Sequence, residues 1–71
     1  MALTFAEMVK EARKAKNLSQ SELADAAGVG ASQVSRIENG HRGTDVDTLN
    51  ALVRALGLDA GVALAAAAEA A

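Results

Sequence analysis

Apolar residues recur along this chain at intervals of three and four positions, which is the period of an amphipathic helix and not of a strand. Thr4 and Glu7 form a T-x-x-E capping box at the start of the first such segment, and Asn17 is suited to a left-handed stop at its end. We therefore predict a first helix of about three turns. Its apolar positions share one face: Phe5, Met8, Val9, Ala12 and Ala15.

Two shorter segments follow, each bounded by its own start and stop residues. Ser19 and Glu22 repeat the capping-box spacing, and Gly28 can end the helix QSELADAA that they open. The third predicted helix covers about 31–39, and Gly40 supplies its stop.

The C-terminal part of the chain adds two more segments. Asp45 is placed to cap a fourth helix, which Gly57 ends. Leu58 and Asp59 open a last segment whose alanines favour helix, although Gly61 favours fraying. The sequence therefore predicts an all-α protein of five helices with no strand. The apolar face predicted for the fourth helix consists of Val46, Leu49, Leu52, Val53 and Leu56.

The amino-acid composition excludes several classes of site and protein. The 71 residues form at most one domain, they include no cysteine, and His41 is the single histidine, so thiolate and multi-histidine metal sites are excluded. The net charge of −2 gives no overall attraction to nucleic acid, so any such contact must come from local placement. The longest wholly apolar run, 62–68, is too short to cross a bilayer, and the charged start is unlike a signal peptide. We expect a cytoplasmic protein with no membrane contact and no cofactor.

The connection between the second and third helices is the most informative feature of the chain. Only Gly28, Val29 and Gly30 join them, and Gly28 can adopt a positive φ without steric penalty. Ala24 leaves room for a close crossing of the two helices. Two short helices joined by such a turn form a helix-turn-helix, a motif whose second helix enters the major groove of DNA.

The stretch LSQSELADAAGVGASQVSRIENGHRG, followed by DTLNALVRALGL, resembles the Cro and phage-repressor helix-turn-helix family, also called the XRE type. The resemblance runs from about Phe5 to Leu58. It implies a compact five-helix bundle of the lambda-repressor-like DNA-binding type. We expect residues 1–58 to form this DNA-binding domain and 59–71 to form an Ala-rich helical tail, with a possible dimer contact.

The resemblance also implies roles for individual residues. Arg13 and Glu38 match a structural ion pair of the family. Helical periodicity agrees with the roles in the third helix, because inward-facing Val34 and Ile37 leave the base-reading positions on the opposite side. There Arg36 can grip guanine O6 and N7. The implied base-reading residues are Ala31, Ser32, Gln33 and Arg36, and the implied phosphate contacts are Gln20, Ser35 and Asn39, to which position alone adds His41 and Arg42.

Plainer interpretations of the same residues stay open. Ser32, Gln33 and Arg36 can be ordinary surface residues, and Gln20 can serve only the start of its helix. Arg13 can contact DNA instead of pairing with Glu38. The sequence also departs from the family pattern: Gly30 stands where Ser or Thr commonly caps the third helix, and Thr44 where proline is frequent. In addition, Asp45 and Asp47 place negative charge beside a phosphate-facing helix start, so we expect modest affinity per monomer.

We therefore predict a transcriptional regulator, a repressor that binds double-stranded DNA as a homodimer and reads a palindromic operator. A small family member of this kind can instead be an antitoxin that also represses its own operon, with a toxin as partner; an anti-repressor is another possible protein partner. The third hypothesis is a protein-interaction module that does not bind DNA. His41 without a recognisable nucleophile does not support an enzyme. Candidate dimer contacts are Leu52, Leu58, Val62 and Leu64.

Overall fold

The computed structural model describes residues 4–40 and 45–69, which form five α-helices and contain no strand. The all-α prediction is therefore confirmed. His41, Arg42 and Thr44 lie outside the described residues. The helices are α1 (Phe5–Ala15), α2 (Gln20–Ala27), α3 (Ala31–Glu38), α4 (Val46–Leu56) and α5 (Ala60–Glu69).

The helix starts are fixed by side chains that satisfy the first backbone N–H groups. In α1 the Glu7 N–H donates to Thr4 Oγ1 at 3.2 Å, and the Thr4 N–H donates to Glu7 Oε1 at 3.0 Å. Ser19 and Glu22 repeat this reciprocal arrangement at α2, with distances of 3.0 and 2.8 Å. Both capping boxes therefore form where the sequence predicts them. At α5 a single bond from the Val62 N–H to Asp59 Oδ1, 3.0 Å long, performs the same task.

Left-handed residues end α1, α2 and α4. Asn17 has φ 57°, Gly28 has φ 71° and Gly57 has φ 67°. The residue after each turn donates a backbone hydrogen bond back into the helix, as in the 2.9 Å bond from the Val29 N–H to the Ala24 carbonyl oxygen. These bonds satisfy carbonyl groups that the helix itself leaves unpaired.

Gly28 offers a direct test of the turn between α2 and α3. A Cβ atom added there meets no heavy atom within 4 Å, so only the positive φ opposes a larger residue. We expect Gly28→Ala to lower the free energy of unfolding by about 1–2 kcal/mol. Gly28→Asn should cost less, because asparagine tolerates this conformation, as Asn17 already does. Urea unfolding of both variants checks the order, and equal losses would point to a cause other than φ.

The five helices enclose one apolar core. Its largest fully buried side chains are Leu23, Leu52, Val9 and Val34, so α1 to α4 each contribute one. α5 adds two alanines, Ala63 at 1% exposure and Ala66 at 9%. Small residues at these positions let α5 approach α1 and α4 closely, so the tail residues pack onto the bundle.

The apolar face of α4 differs from the prediction at both of its edges. Val46 is 62% exposed, because it is the first residue of the helix and lies beyond the end of the core. Thr48 is buried in its place, and its hydroxyl group donates to Asp45 Oδ1 at 2.7 Å, which offsets the cost of burying it.

Leu52 is 0% exposed, so it has no surface to offer a second copy, and its predicted dimer role is wrong.

Candidate nucleic-acid interface

The turn between α2 and α3 sets the position of α3. Gly28 leaves α2 in the left-handed conformation, and Gly30 returns the chain to an extended conformation with φ −80° and ψ 145° before α3 begins. Half-buried Val29 between them packs against the core, and Ala24, 2% exposed, keeps its part of α2 narrow. The two helices therefore pack directly on each other, and this contact orients the outer face of α3.

α3 has one buried and one exposed face. Val34 and Ile37 are buried in the core at 0% and 4% exposure. The four residues predicted to read bases are all exposed: Ala31, Ser32, Gln33 and Arg36. The guanidinium of Arg36 makes no hydrogen bond or ion pair with any residue of 4–40 or 45–69. The outer face of α3 thus combines small and polar side chains with a cation that has no partner in the described part of the chain.

The start of α3 is bonded by the side chain of Gln33, for which the sequence predicts only base reading. Gly30 is the residue before the helix, and its N–H donates to Gln33 Oε1 at 2.8 Å. This is half of a capping box, with the glutamine reaching back to the residue before the helix. The spacing G-x-x-Q matches the capping box at its glutamine. The usual motif has Ser or Thr at the first position, so the glycine makes this half of the motif easy to miss in the sequence.

At the other end of α3, two predicted phosphate contacts are bonded to each other. Asn39 Nδ2 donates to the Ser35 carbonyl oxygen at 2.9 Å and lies 3.5 Å from Ser35 Oγ. Asn39 is exposed and Ser35 half-buried. The Ser35 carbonyl oxygen also accepts the backbone N–H of Asn39 at 3.0 Å, so the asparagine amide adds a second bond to the last turn of α3.

The structure brings Arg13 and Glu38 together in a paired, double hydrogen bond. Arg13 Nε lies 2.7 Å from Glu38 Oε2, and Arg13 Nη2 donates to Glu38 Oε1 at 3.0 Å. The two side chains are 13% and 3% exposed. Arg13 Nη1 also donates to the Leu18 carbonyl oxygen at 2.8 Å, and Gln20 Nε2 donates to Glu38 Oε1 at 3.3 Å. One carboxylate therefore connects α1, the start of α2 and the end of α3.

The electrostatics of this cluster favour the ionised pair. Burial on its own would raise the pKa of Glu38. The hydrogen bonds from Arg13 and Gln20, with the charges of Arg13 and Lys10, outweigh burial and hold the pKa below its usual value of 4.5. The hydrogen bond to Glu38 in turn raises the pKa of Arg13, although burial opposes it.

These shifts predict how stability depends on pH. A carboxyl group whose pKa is lower in the folded state stabilises the fold above its unfolded pKa, and this contribution disappears as the pH falls through the folded value. Glu38 is such a group, because its pKa is lowered in the folded protein and its side chain is only 3% exposed. We expect the free energy of unfolding to fall as the pH is lowered from about 5 to 3. Urea titrations at several pH values should show a flatter acid dependence for Glu38→Gln, and an identical dependence would contradict this assignment.

The start of α4 carries negative charge close to the helix-turn-helix. Asp45 accepts hydrogen bonds from the Thr48 hydroxyl at 2.7 Å and the Thr48 N–H at 3.4 Å. The hydroxyl bond is the main reason that the pKa of Asp45 is lowered, so this carboxylate is ionised at neutral pH. Asp47 in the same turn is exposed and adds a second acidic residue.

The remaining dimer candidates border an apolar groove between α1 and α5. The groove has a volume of about 410 Å³. Val62 is 56% exposed on its α5 side, and Leu58 is half-buried beside it. The fourth candidate, Leu64, belongs to α5, but its side chain is not among those that the structure describes. The lining residues are Met8, Glu11, Ala12, Leu58, Asp59, Val62 and Ala63.

Residues 4–40 and 45–69 contain no group of three or more His, Asp and Glu side chains able to hold a metal ion. No helix within them is long and apolar enough to cross a membrane.

Two helices crossing at a glycine turn, with a polar outer face on the second, define a helix-turn-helix protein. Residues 9–62 match the family described as helix-turn-helix, and the chain belongs to this XRE-type family. The family consists of DNA-binding transcription regulators and is generally non-enzymatic, and this general role applies to the chain. Comparison with individual curated proteins gives no significant match.

Proposed function

We propose that the protein is a dimeric transcriptional repressor that reads a palindromic operator through α3. The observation that carries the proposal is the division of α3 into two faces. Val34 and Ile37 are buried, whereas Ser32, Gln33 and Arg36 are exposed, and Arg36 makes no ion pair within the described residues. A charged side chain without a local partner on a rigid helix is suited to a bidentate contact with a base edge.

In this mechanism α3 lies in the major groove and Arg36 contacts guanine. Gln20 lies at the start of α2, where the backbone N–H groups of the first turn can meet a phosphate. Its side-chain amide bonds Glu38, so a phosphate contact through that group has one N–H hydrogen left. Asn39 Nδ2 donates to the Ser35 carbonyl oxygen at 2.9 Å and lies 3.5 Å from Ser35 Oγ, so its amide is also partly engaged by the protein. The bound protein represses by excluding polymerase from the promoter.

Two copies are needed, because a single module of this size buries only about 600–1,000 Å² on DNA. A two-fold dimer would place its two recognition helices about 34–36 Å apart, in successive major grooves. The apolar groove beside Leu58 and Val62 is the surface that we propose for the second copy. Ionised Asp45 and exposed Asp47 oppose phosphate, so the dimer compensates for weak binding by each monomer.

The test is selection from a random double-stranded DNA library, followed by fluorescence anisotropy on the enriched site and a scrambled duplex at about 0.15 M salt. We expect two inverted half-sites and a preference for the enriched site of about 10³ or more. Affinity should fall linearly with salt on logarithmic axes, since the protein displaces counterions from DNA. No enrichment, together with binding indifferent to salt, would contradict the proposal.

The dimer is tested separately. Val62→Asp places a charge at the edge of the groove, and we expect it to weaken self-association by about tenfold or more because a desolvated, unpaired carboxylate is costly. Val46→Asp is the matched control, because Val46 is equally apolar and 62% exposed but lies at the start of α4. Sedimentation equilibrium reports both. Equal self-association of the two variants would exclude the groove as the dimer surface.

A protein partner is the second candidate function, and the groove is the observation in its favour. Its walls are apolar, and Glu11 and Asp59 add acidic groups, which suits a basic amphipathic segment of a toxin or an anti-repressor. An antitoxin would retain the selected operator and bind its toxin as well. A pure interaction module would bind its partner and select no DNA sequence.

A further inference from the structure

Gln33 is held by the backbone at the start of α3. The Gly30 N–H donates to its side-chain amide at 2.8 Å. A backbone N–H can only donate, so the amide oxygen faces it and the orientation of the amide group is fixed. Gly30 has no side chain with which to accept from the first turn of α3, so the bond to Gln33 is the side-chain hydrogen bond that the described residues form at this helix start.

This bond leaves the amide nitrogen of Gln33 free. Nε2 makes no hydrogen bond within residues 4–40 and 45–69, and it keeps two hydrogens to donate. The side chain is exposed on the same face of α3 as Ser32 and Arg36. The group that Gln33 offers outward is therefore a donor, while its acceptor is turned to the protein backbone.

We propose that Gln33 acts as a donor-only specificity residue that selects guanine in the operator; this rests on the proposed DNA-reading role of α3. Guanine presents two acceptors, O6 and N7, in the major groove. Adenine presents the N7 acceptor beside the N6 amino donor, and glutamine reads it with both nitrogen and oxygen. A free glutamine would suit adenine, whereas the bonded amide of Gln33 suits guanine.

Bidentate reading of adenine would require Gln33 Oε1, which faces the Gly30 N–H, to turn toward the N6 amino group. Losing one hydrogen bond of this kind changes an equilibrium constant, here that for binding adenine, by about threefold to tenfold. Within residues 4–40 and 45–69 no other side chain accepts from the Gly30 N–H, so turning Oε1 away leaves this donor without a partner in that part of the protein. The cap therefore biases Gln33 against adenine before any DNA is present.

The first measurement needs no DNA. Amide hydrogen exchange of Gly30 is compared between the native protein and Gln33→Met, which keeps the length of the side chain but cannot accept this bond. We expect exchange of the Gly30 N–H to be about threefold to tenfold faster in the variant. Ser32→Ala, a neighbouring change that leaves the Gly30–Gln33 bond in place, should not alter it. Equal exchange rates would overturn the inference while leaving the DNA-binding proposal untouched.

The second measurement identifies the base. Library selection is run with the native protein, Gln33→Met and Arg36→Ala, and the position whose preference disappears only in Gln33→Met is assigned to Gln33. We expect guanine there. Replacing it by 7-deazaguanine, which lacks the N7 acceptor, should weaken native binding by about threefold to tenfold and leave Gln33→Met nearly unchanged.

The outcomes are distinct. If the native protein enriches no site, the proposed function fails and the specificity inference fails with it. If a site is enriched but the Gln33 position is adenine, or no position depends on Gln33, DNA binding stands and the donor-only role is overturned. Guanine with matching sensitivity to 7-deazaguanine supports both.

Discussion

Replacing Arg13 by methionine is expected to lower the free energy of unfolding by about 3–5 kcal/mol, because it leaves the buried Glu38 carboxylate without its cation. Methionine retains most of the apolar length of arginine, so the loss reports charge and hydrogen bonds more than packing. Glu38 is 3% exposed and cannot regain its solvation by turning to water. The Leu18 carbonyl oxygen loses its donor as well.

Urea unfolding followed by circular dichroism measures this change, and the midpoint of thermal unfolding should fall by at least about 12 °C in a domain of this size. Lys14→Met is the matched control: it removes a cation from the next residue of α1, where the side chain is exposed. The double variant Arg13→Met with Glu38→Met removes both charges and should recover much of the loss. A loss below about 1 kcal/mol for Arg13→Met would show that the pair behaves as a surface ion pair.

The helix boundaries are the part of the fold that the sequence predicts best. Thr4, Ser19 and Asp45 cap helices through bonds to residues three positions away, and Asn17 and Gly28 end them through their own backbone conformation. Such signals are local, so they can be read without knowing the tertiary structure.

The allocation of residues at the edges of a helix face depends on contacts that a sequence does not display. Val46 and Thr48 stand at opposite edges of the apolar stripe of α4, and hydrophobicity alone favours burying the valine. The structure buries the threonine, because Asp45 satisfies its hydroxyl and the bundle does not extend over Val46. Leu52 is 0% exposed, and α4 as a whole contacts α1, α2 and α5, so packing in the bundle adds to the pattern of α4 in setting which of its residues are enclosed.

In the candidate interface, too, the sequence predicts the exposure of residues but not the contacts that they make. Periodicity predicts which residues of α3 are exposed, because Val34 and Ile37 fix its inner face. It does not predict that Gln33, Asn39 and Gln20 already bond to the protein itself. These bonds distinguish side chains that periodicity alone treats alike. Arg36, the cation of α3, makes no such bond within residues 4–40 and 45–69, so its guanidinium can offer all its donors to DNA.

Replacing Arg36 by alanine is therefore expected to cause the largest loss of DNA specificity among changes on α3. A bidentate contact with guanine contributes about 1–3 kcal/mol of discrimination, which corresponds to about fivefold to 150-fold in relative affinity. Arg36 is exposed and forms no ion pair in the described residues, so its removal should leave the free energy of unfolding within about 0.5 kcal/mol. Anisotropy with the selected and scrambled duplexes, across a salt series, measures both affinity and discrimination.

The matched control is Arg54→Ala, which removes the same charge from an exposed position in the last turn of α4, outside the helix-turn-helix. It should change binding to both duplexes equally and weakly. If Arg36 contacts a phosphate instead of a base, its removal will weaken both duplexes alike and reduce the salt dependence by about one unit of slope. Loss confined to the selected duplex, absent from Arg54→Ala, is the result that assigns base reading to Arg36, because only a base contact distinguishes sequences of equal charge.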